Sequence, residues 1–396
     1  MRTAGFKLHY FLLYAVVGAY LPYVPVFLGH DLKLPDSQIG WITGAYGLAV
    51  LLAPPVMAAL ADRKVPGRTL VAVGYSLSCA VLLVFAWADG FTAPLLLSAA
   101  FGLAYTPMTP LLDALAFTEM ARARATGATA PNYGALRVWG SLGFMAPAFV
   151  LFALMHSGLA GGRAAMLTGA AAAALAVVCA PLLPRVVPEP RSGATVPTAA
   201  AWAELRRPST FALVGPLVLL FVSISVFYAF YPRLVVEVGI DPAWVGLASN
   251  LGVLSELPWL FLAPAILRRA SVRSLMLFGA ACMTARMALL ATVATPATVL
   301  ATQVLHGPVV MSLYLLPPMV LDHKATPDFR NSVQGLYAAL CYGAARFIGS
   351  GAGGHAAEFG LQWAFVLAAA FALAAALWLW LSWRDPAVET ALRGPR

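Results

Sequence analysis

Charge is what this sequence has least of. Only 10% of its 396 residues are Asp, Glu, Lys or Arg, whereas 61% are hydrophobic. The mean hydropathy is +0.82. A soluble domain carries about 25% charged residues, so a water-soluble globule is excluded. Cysteine is scarce too: Cys79, Cys179, Cys282 and Cys341 all lie in apolar stretches, far apart and without metal-ligand spacing. They read as small packing residues. The sequence has no Gly-x-x-x-x-Gly-Lys-Ser/Thr phosphate loop, so direct ATP use has no support. It has no His-x-x-x-His or Cys-x-x-Cys pair, so a metal centre has none either. These absences argue against an enzyme and against a resident cofactor.

What remains is apolar. Twelve segments are readable, at 7–28, 38–61, 69–88, 92–116, 133–155, 164–184, 210–232, 242–267, 274–293, 297–321, 331–354 and 360–383. About 20 apolar residues of helix cross a bilayer. The segments do not alternate apolar and polar residues as barrel strands do, so they read as helices. The longest hydrophilic run, 185–209, holds Pro188, Pro190, Pro197 and Pro208 and reads as a linker. The expected architecture is an all-α membrane protein of twelve transmembrane helices in two six-helix bundles. Residues 1–184 form the first bundle, 185–209 a cytoplasmic linker, 210–383 the second bundle and 384–396 a cytoplasmic tail.

The net charge of +9 does not point to nucleic acid, because its distribution follows the membrane. Arg2, Lys7, Arg63, Lys64, Arg68, Arg122, Arg124, Arg206, Arg207, Arg268, Arg269, Arg273, Lys324 and Arg330 fall on one expected side. Lys33, Arg163 and Arg233 fall on the other. That bias places both termini in the cytoplasm and the basic side against anionic headgroups. Arg2 and Lys7 ahead of an apolar run superficially resemble a signal peptide. The run is too long and lacks a small-residue cleavage site, so it reads as an uncleaved first helix.

Six ionisable residues interrupt the apolar segments: Asp113, Arg137, Glu256, Arg286, His306 and Arg346. A charge at the centre of a lipid-exposed helix costs roughly 2.5–3.5 kcal/mol, so these residues imply a polar interior. Tyr105, Thr109 and Asp113 are spaced by four and share a helix face, as do Tyr133, Arg137 and Ser141. The two stripes can meet, and an Asp113–Arg137 pair is expected. It serves either as a substrate site or as a permanent lock between helices. Glu256, Arg286 and His306 occupy three consecutive segments and suit a proton relay, although His306 also reads as a hydrogen-bonded core histidine. Arg346, with Tyr337 and Tyr342 before it, reads either as substrate-facing or as snorkelling. Tyr10, Tyr14, Tyr228 and Tyr231 are candidate cavity aromatics. Three arginines against two carboxylates leave one positive charge, which an anionic substrate would balance.

The halves echo each other. Ile39-Gly40 and Val245-Gly246 open the second and eighth segments, and both segments end in basic turns, Ala61-Asp62-Arg63-Lys64 and Leu267-Arg268-Arg269. Such duplication suggests a transporter built of two repeats. The turn Ala58-Ala59-Leu60-Ala61-Asp62-Arg63-Lys64 with Gly67-Arg68 resembles the loop signature of the major facilitator superfamily, with Ala58 in place of the leading glycine. The resemblance implies a conformational role for Asp62, Arg63 and Arg68. Pro110-Leu-Leu-Asp113 and the string Tyr133-Gly-Ala-Leu-Arg137-Val-Trp139-Gly-Ser141 look like the phenylpropionate permease branch, as do Ser255-Glu256-Leu-Pro, Leu305-His306-Gly and Gln334-Gly-Leu-Tyr337. That branch is itself similar to lactose permease and the nucleoside–proton symporters.

The resemblance implies substrate contacts at Asp113 and Arg137, with Tyr14, Tyr105, Tyr228, Tyr337 and Arg346 as further candidates. It implies proton coupling at Glu256, Arg286 and His306. The family's further carboxylate, one turn after the histidine, has no counterpart, because Val309 and Val310 stand there. The expected function is proton-coupled symport of a small organic molecule, favouring a carboxylate, by a monomer in a bacterial inner membrane. A sugar or nucleoside symporter, a proton-antiport efflux pump, and a receptor or lipid-handling protein on the same fold are the alternatives. The span-five string Gly140-Ser-Leu-Gly143-Phe-Met-Ala-Pro147 does not match that of the drug antiporters.

Overall fold

The computed structural model describes residues 3–61, 65–127, 133–186, 198–325, 330–386 and 388–389. Regular structure among them is entirely helical. Among the described residues nine helices are long and apolar enough to cross a membrane, or ten when Pro242–Phe261 and Ala263–Arg269, bent by 59° at their junction, count as one. The remaining two expected segments are helical as well. One is Asp36–Ala61. The other is Arg330–Ala338, running through a widened turn Ala339–Ala344 into Ala345–Ala357. Asp62 and Arg63 of the expected loop motif lie outside the described residues. Arg68 stands half-buried in the first turn of Gly67–Phe85.

The chain divides into two compact units. The first comprises Met1–Leu34, Leu48–Ser192 and Asp241–Leu247; the second, Pro35–Gly47, Gly193–Ile240 and Ala248–Arg396. In the first unit the helix Thr3–Tyr20 is enclosed, with twelve of its residues buried. It packs most closely on Tyr133–His156. Lipid offers no hydrophobic driving force between helices, so close backbone approach must supply the attraction. Gly18 and Gly143 permit that approach reciprocally. A Cβ at Gly18 would collide with the Phe144 carbonyl, and one at Gly143 with the Phe11 carbonyl. Gly143→Val is therefore expected to cost about 1–3 kcal/mol, read as a lowered melting temperature of the purified protein. Gly335→Ala, where an added Cβ meets nothing within 4 Å, is expected to leave that temperature unchanged or slightly raised. Equal melting temperatures for Gly143→Val and wild type would show that the seam is slack.

In the second unit Pro208–Glu237 packs on Leu361–Ser382 and Ala345–Ala357, and Val272–Thr292 on Leu361–Ser382. Proline chemistry shapes the middle of this unit. Pro317 has no N–H to give the Leu313 carbonyl, and the Tyr337 hydroxyl donates to that carbonyl instead, at 3.1 Å. The widened turn Met311–Leu315 ends two residues before Pro317. With Ala339–Ala344 it brings Tyr314 and Tyr342 into a stack at 5.5 Å. Widened turns of this kind often mark functional positions. Arg233, which the charge pattern assigns outside the membrane, lies within the helix Pro208–Glu237 and pairs with Asp36. At one end of the unit the Glu389 carboxylate accepts from the Val272 and Arg273 N–H groups, at 2.9 and 2.8 Å, capping the start of Val272–Thr292.

Candidate functional site

The intramembrane ionisable residues gather in two clusters, one in each unit. In the first unit, four-residue spacing puts Tyr10 and Tyr14 on one face of the first helix. The same spacing aligns Thr109 with Asp113, and Tyr133 with Arg137. These faces converge, but the expected Asp113–Arg137 ion pair does not form. Asp113 Oδ1 accepts from the Tyr10 hydroxyl at 2.5 Å and from the Tyr133 hydroxyl at 2.9 Å. The Arg137 guanidinium instead lies 4.2 Å from the centre of the Tyr14 ring. Two phenols thus satisfy the carboxylate, and a ring face holds the cation. Gly140 makes room for this seat, since a Cβ there would fall 2.6 Å from Arg137 Nη1 and 2.8 Å from Tyr14 Cδ2. No carboxylate of the described residues stands within 4.0 Å of Arg137.

Tyr105 is near enough to Arg137 for a coulombic interaction but has its own partners. Its ring is buried and stacked on Phe101 at 5.5 Å, and its hydroxyl donates to the Leu13 carbonyl at 3.0 Å. One intramembrane titratable residue absent from the expected six is His9. It is fully buried, with Nε2 3.0 Å from the Cys179 carbonyl.

The second unit joins Glu256, His306 and Arg286 in a chain. His306 Nε2 is 3.2 Å from Glu256 Oε1, and His306 Nδ1 is 2.7 Å from Arg286 Nη1. An arginine only donates, so Nδ1 must be an acceptor. The proton of the neutral ring then sits on Nε2, facing Glu256. Arg286 Nη2 donates to Gln303 Oε1 at 2.5 Å, and the guanidinium covers the Phe227 ring at 3.8 Å. Arg286 is wholly buried and His306 nearly so, whereas the Glu256 side chain remains 21% exposed. The carboxylate is therefore the member of the chain open to exchange. The Tyr228 hydroxyl stands 3.5 Å from His306 Nε2.

Arg346 lies 4.8 Å from the Tyr46 ring centre, half-buried, with no carboxylate of the described residues within 4.0 Å. Tyr337 is buried among Phe221 and Tyr342, its hydroxyl taken by the Leu313 carbonyl. Gln303 is a site residue that the sequence reading lacks. Its signal was present, because three residues before His306 is one turn away on the same face. Tyr46 and Phe227 had no such signal.

Comparison with known proteins places this chain in a family. Residues 4–383 match the MFS_1 like family. The maltose permease of Geobacillus stearothermophilus is 29% identical over 292 residues, covering 72% of this chain and 70% of the relative. The probable 3-phenylpropionic acid transporter of Escherichia coli is 28% identical over 309 residues, covering 77% and 78%. A crystal structure of a substituted nucleoside transporter NupG superposes with a TM-score of 0.86 at 18% identity, covering 97% of this chain and all of that one. With a family match across nearly its whole length and the fold of that transporter, this chain belongs to the MFS_1 like family and is a multi-pass membrane secondary transporter of the major facilitator superfamily.

Proposed function

We propose that the protein imports a small organic carboxylate together with protons. In this reading it has twelve transmembrane helices in two six-helix bundles, residues 1–184 and 210–383, joined by a cytoplasmic linker. Both termini are cytoplasmic, and it works as a monomer in a bacterial inner membrane by alternating access. The observation that carries the substrate class is Arg137, an intramembrane guanidinium seated on Tyr14 with no carboxylate partner among the described residues. Its planar fork suits a carboxylate. A relative named as a probable 3-phenylpropionic acid transporter supports this class.

Charge balance supplies the coupling. With Glu256 ionised, the chain Glu256–His306–Arg286 is neutral as a whole. Protonating Glu256 leaves the buried Arg286 charge uncompensated, a costly state in low dielectric. An anion carried in the same step balances the charge of the proton, so proton and anion are favoured together. Arg286 itself is occupied by His306 and Gln303. Arg137 is therefore the first candidate to receive the substrate carboxylate, and Arg346 the second.

Relatives named for maltose and nucleosides keep a neutral substrate as the second reading. The test is uptake of phenylpropionate-like acids, uridine and lactose by proteoliposomes with an inward proton gradient. Acid uptake driven by the gradient is expected. Robust uridine or lactose uptake with no acid binding would overturn the carboxylate assignment.

A further inference from the structure

We infer that Gln303 is a positioning residue that sets the tautomer of His306, so that the imidazole presents Nε2–H, and not a bare nitrogen, to Glu256. The inference rests on the proposed coupling role of Glu256, but its geometry stands independently. Arg286 has more than one way to use its donors inside a buried site. Left free, it could turn from His306, and the ring could then carry its proton on either nitrogen. Gln303 removes that freedom. Its Oε1 accepts from Arg286 Nη2 at 2.5 Å while Nη1 points at His306 Nδ1, at 2.7 Å. Phe227 closes the guanidinium face at 3.8 Å. A planar guanidinium held at two donors and one face has a single orientation.

Gln303 is itself fixed. Its side chain is 2% exposed, and its backbone carbonyl lies 2.9 Å from Ser255 Oγ, which also accepts from the Gly307 N–H at 3.0 Å. Ser255 precedes Glu256 directly, and Gly307 follows His306 directly. One hydroxyl thus ties together the backbone of the carboxylate, the imidazole and the amide. Gly252 completes the seat, since a Cβ there would fall 2.7 Å from Gln303 Oε1 and 3.1 Å from His306 Cδ2. The result is a directional chain in which every link has one donor and one acceptor: guanidinium to Nδ1, then Nε2–H to carboxylate. Were the tautomer reversed, Nδ1–H would face Arg286, donor against donor, and Glu256 would face a second acceptor.

The test reads the tautomer directly. Protein labelled with ¹⁵N-histidine is expected to show His306, assigned by the signal lost in His306→Asn, with Nε2 protonated and Nδ1 bare. Gln303→Met, which keeps the bulk and removes the acceptor, is expected to give a mixture of tautomers. It should also bring accumulation at a one-unit pH gradient from about tenfold towards unity, while downhill exchange persists. Gln303→Glu restores an oxygen acceptor for Arg286 and is expected to restore the Nε2–H tautomer. If Gln303→Met does not fold, Gly252→Ala displaces the same amide and is expected to show the same mixture. An Nδ1–H signal in the wild type, or an unchanged tautomer in both Gln303→Met and Gly252→Ala, would overturn the inference. Failure of the coupling reading is a separate result: gradient-driven accumulation by Glu256→Gln would remove it whatever the tautomer.

Discussion

Glutamine in place of Glu256 is expected to leave substrate exchange intact and to abolish accumulation against a gradient. The amide keeps an oxygen that can accept from His306 Nε2–H, 3.2 Å from the present carboxylate oxygen, so the cluster should hold its shape. What it loses is the ability to release a proton. The variant is fixed in the charge state of protonated Glu256, the state that loads substrate in the proposed cycle. Substrate can then load and unload on both sides, and labelled substrate should exchange at a rate near that of the wild type. One pH unit is worth about 1.4 kcal/mol, a tenfold concentration ratio for one proton per substrate. Wild-type proteoliposomes at a one-unit inward gradient should therefore accumulate an acid about tenfold, and the variant should stop at equality. Accumulation at the wild-type level would mean that another group carries the proton.

Removing Arg137 is expected to abolish uptake while the protein stays folded. This pairing of outcomes follows from the tyrosines. Had Asp113 and Arg137 formed a buried lock, deleting one partner would orphan the other at about 3–5 kcal/mol. Instead, Asp113 keeps its hydrogen bonds from Tyr10 and Tyr133, and Arg137→Ala forfeits only a ring contact worth about 0.5–2 kcal/mol. Its loss to the substrate is larger. Hydrogen bonds to a charged group contribute about 1.5–3 kcal/mol, or roughly 10- to 150-fold in affinity. Arg137→Lys should recover part of this, keeping the charge and losing the fork. The measurements are the melting temperature with and without a bound acid, and uptake in proteoliposomes. Normal uptake by Arg137→Ala would take this residue out of the substrate site. A collapse in melting temperature would restore the lock.

Much of the framework was legible before any coordinates. Apolar length alone anticipates the nine or ten helices able to cross a membrane among the described residues, because a bilayer of fixed thickness demands about 20 residues of helix. The scarcity of charge makes the few intramembrane ionisable residues conspicuous, and Glu256, Arg286 and His306 do meet in one cluster. Four-residue spacing also put Tyr133 with Arg137, and Thr109 with Asp113. The partners across helices were not legible in the same way. Spacing says which residues share a face, but not which face of a distant helix that face meets. Asp113 finds Tyr10, 103 positions earlier in the chain, and no local pattern distinguishes that hydroxyl from the Arg137 guanidinium as its neighbour. Arg346 finds Tyr46 for the same kind of reason.

The sequence by itself determined that this is a helical membrane protein, and which side chains had to be sheltered from lipid. Those conclusions rest on transfer free energies that each residue carries wherever it sits. The tertiary structure alone decided that tyrosine hydroxyls, and not an arginine, hydrogen-bond Asp113, that Gln303 joins the Arg286–His306 chain, and which nitrogen of His306 faces Glu256. Such choices turn on distances of a few tenths of an ångström. The glycine seats at Gly140, beside Arg137 and Tyr14, and at Gly252, beside Gln303 and His306, leave the room for those distances. They are properties of packed helices in contact, and no single stretch of the chain contains them.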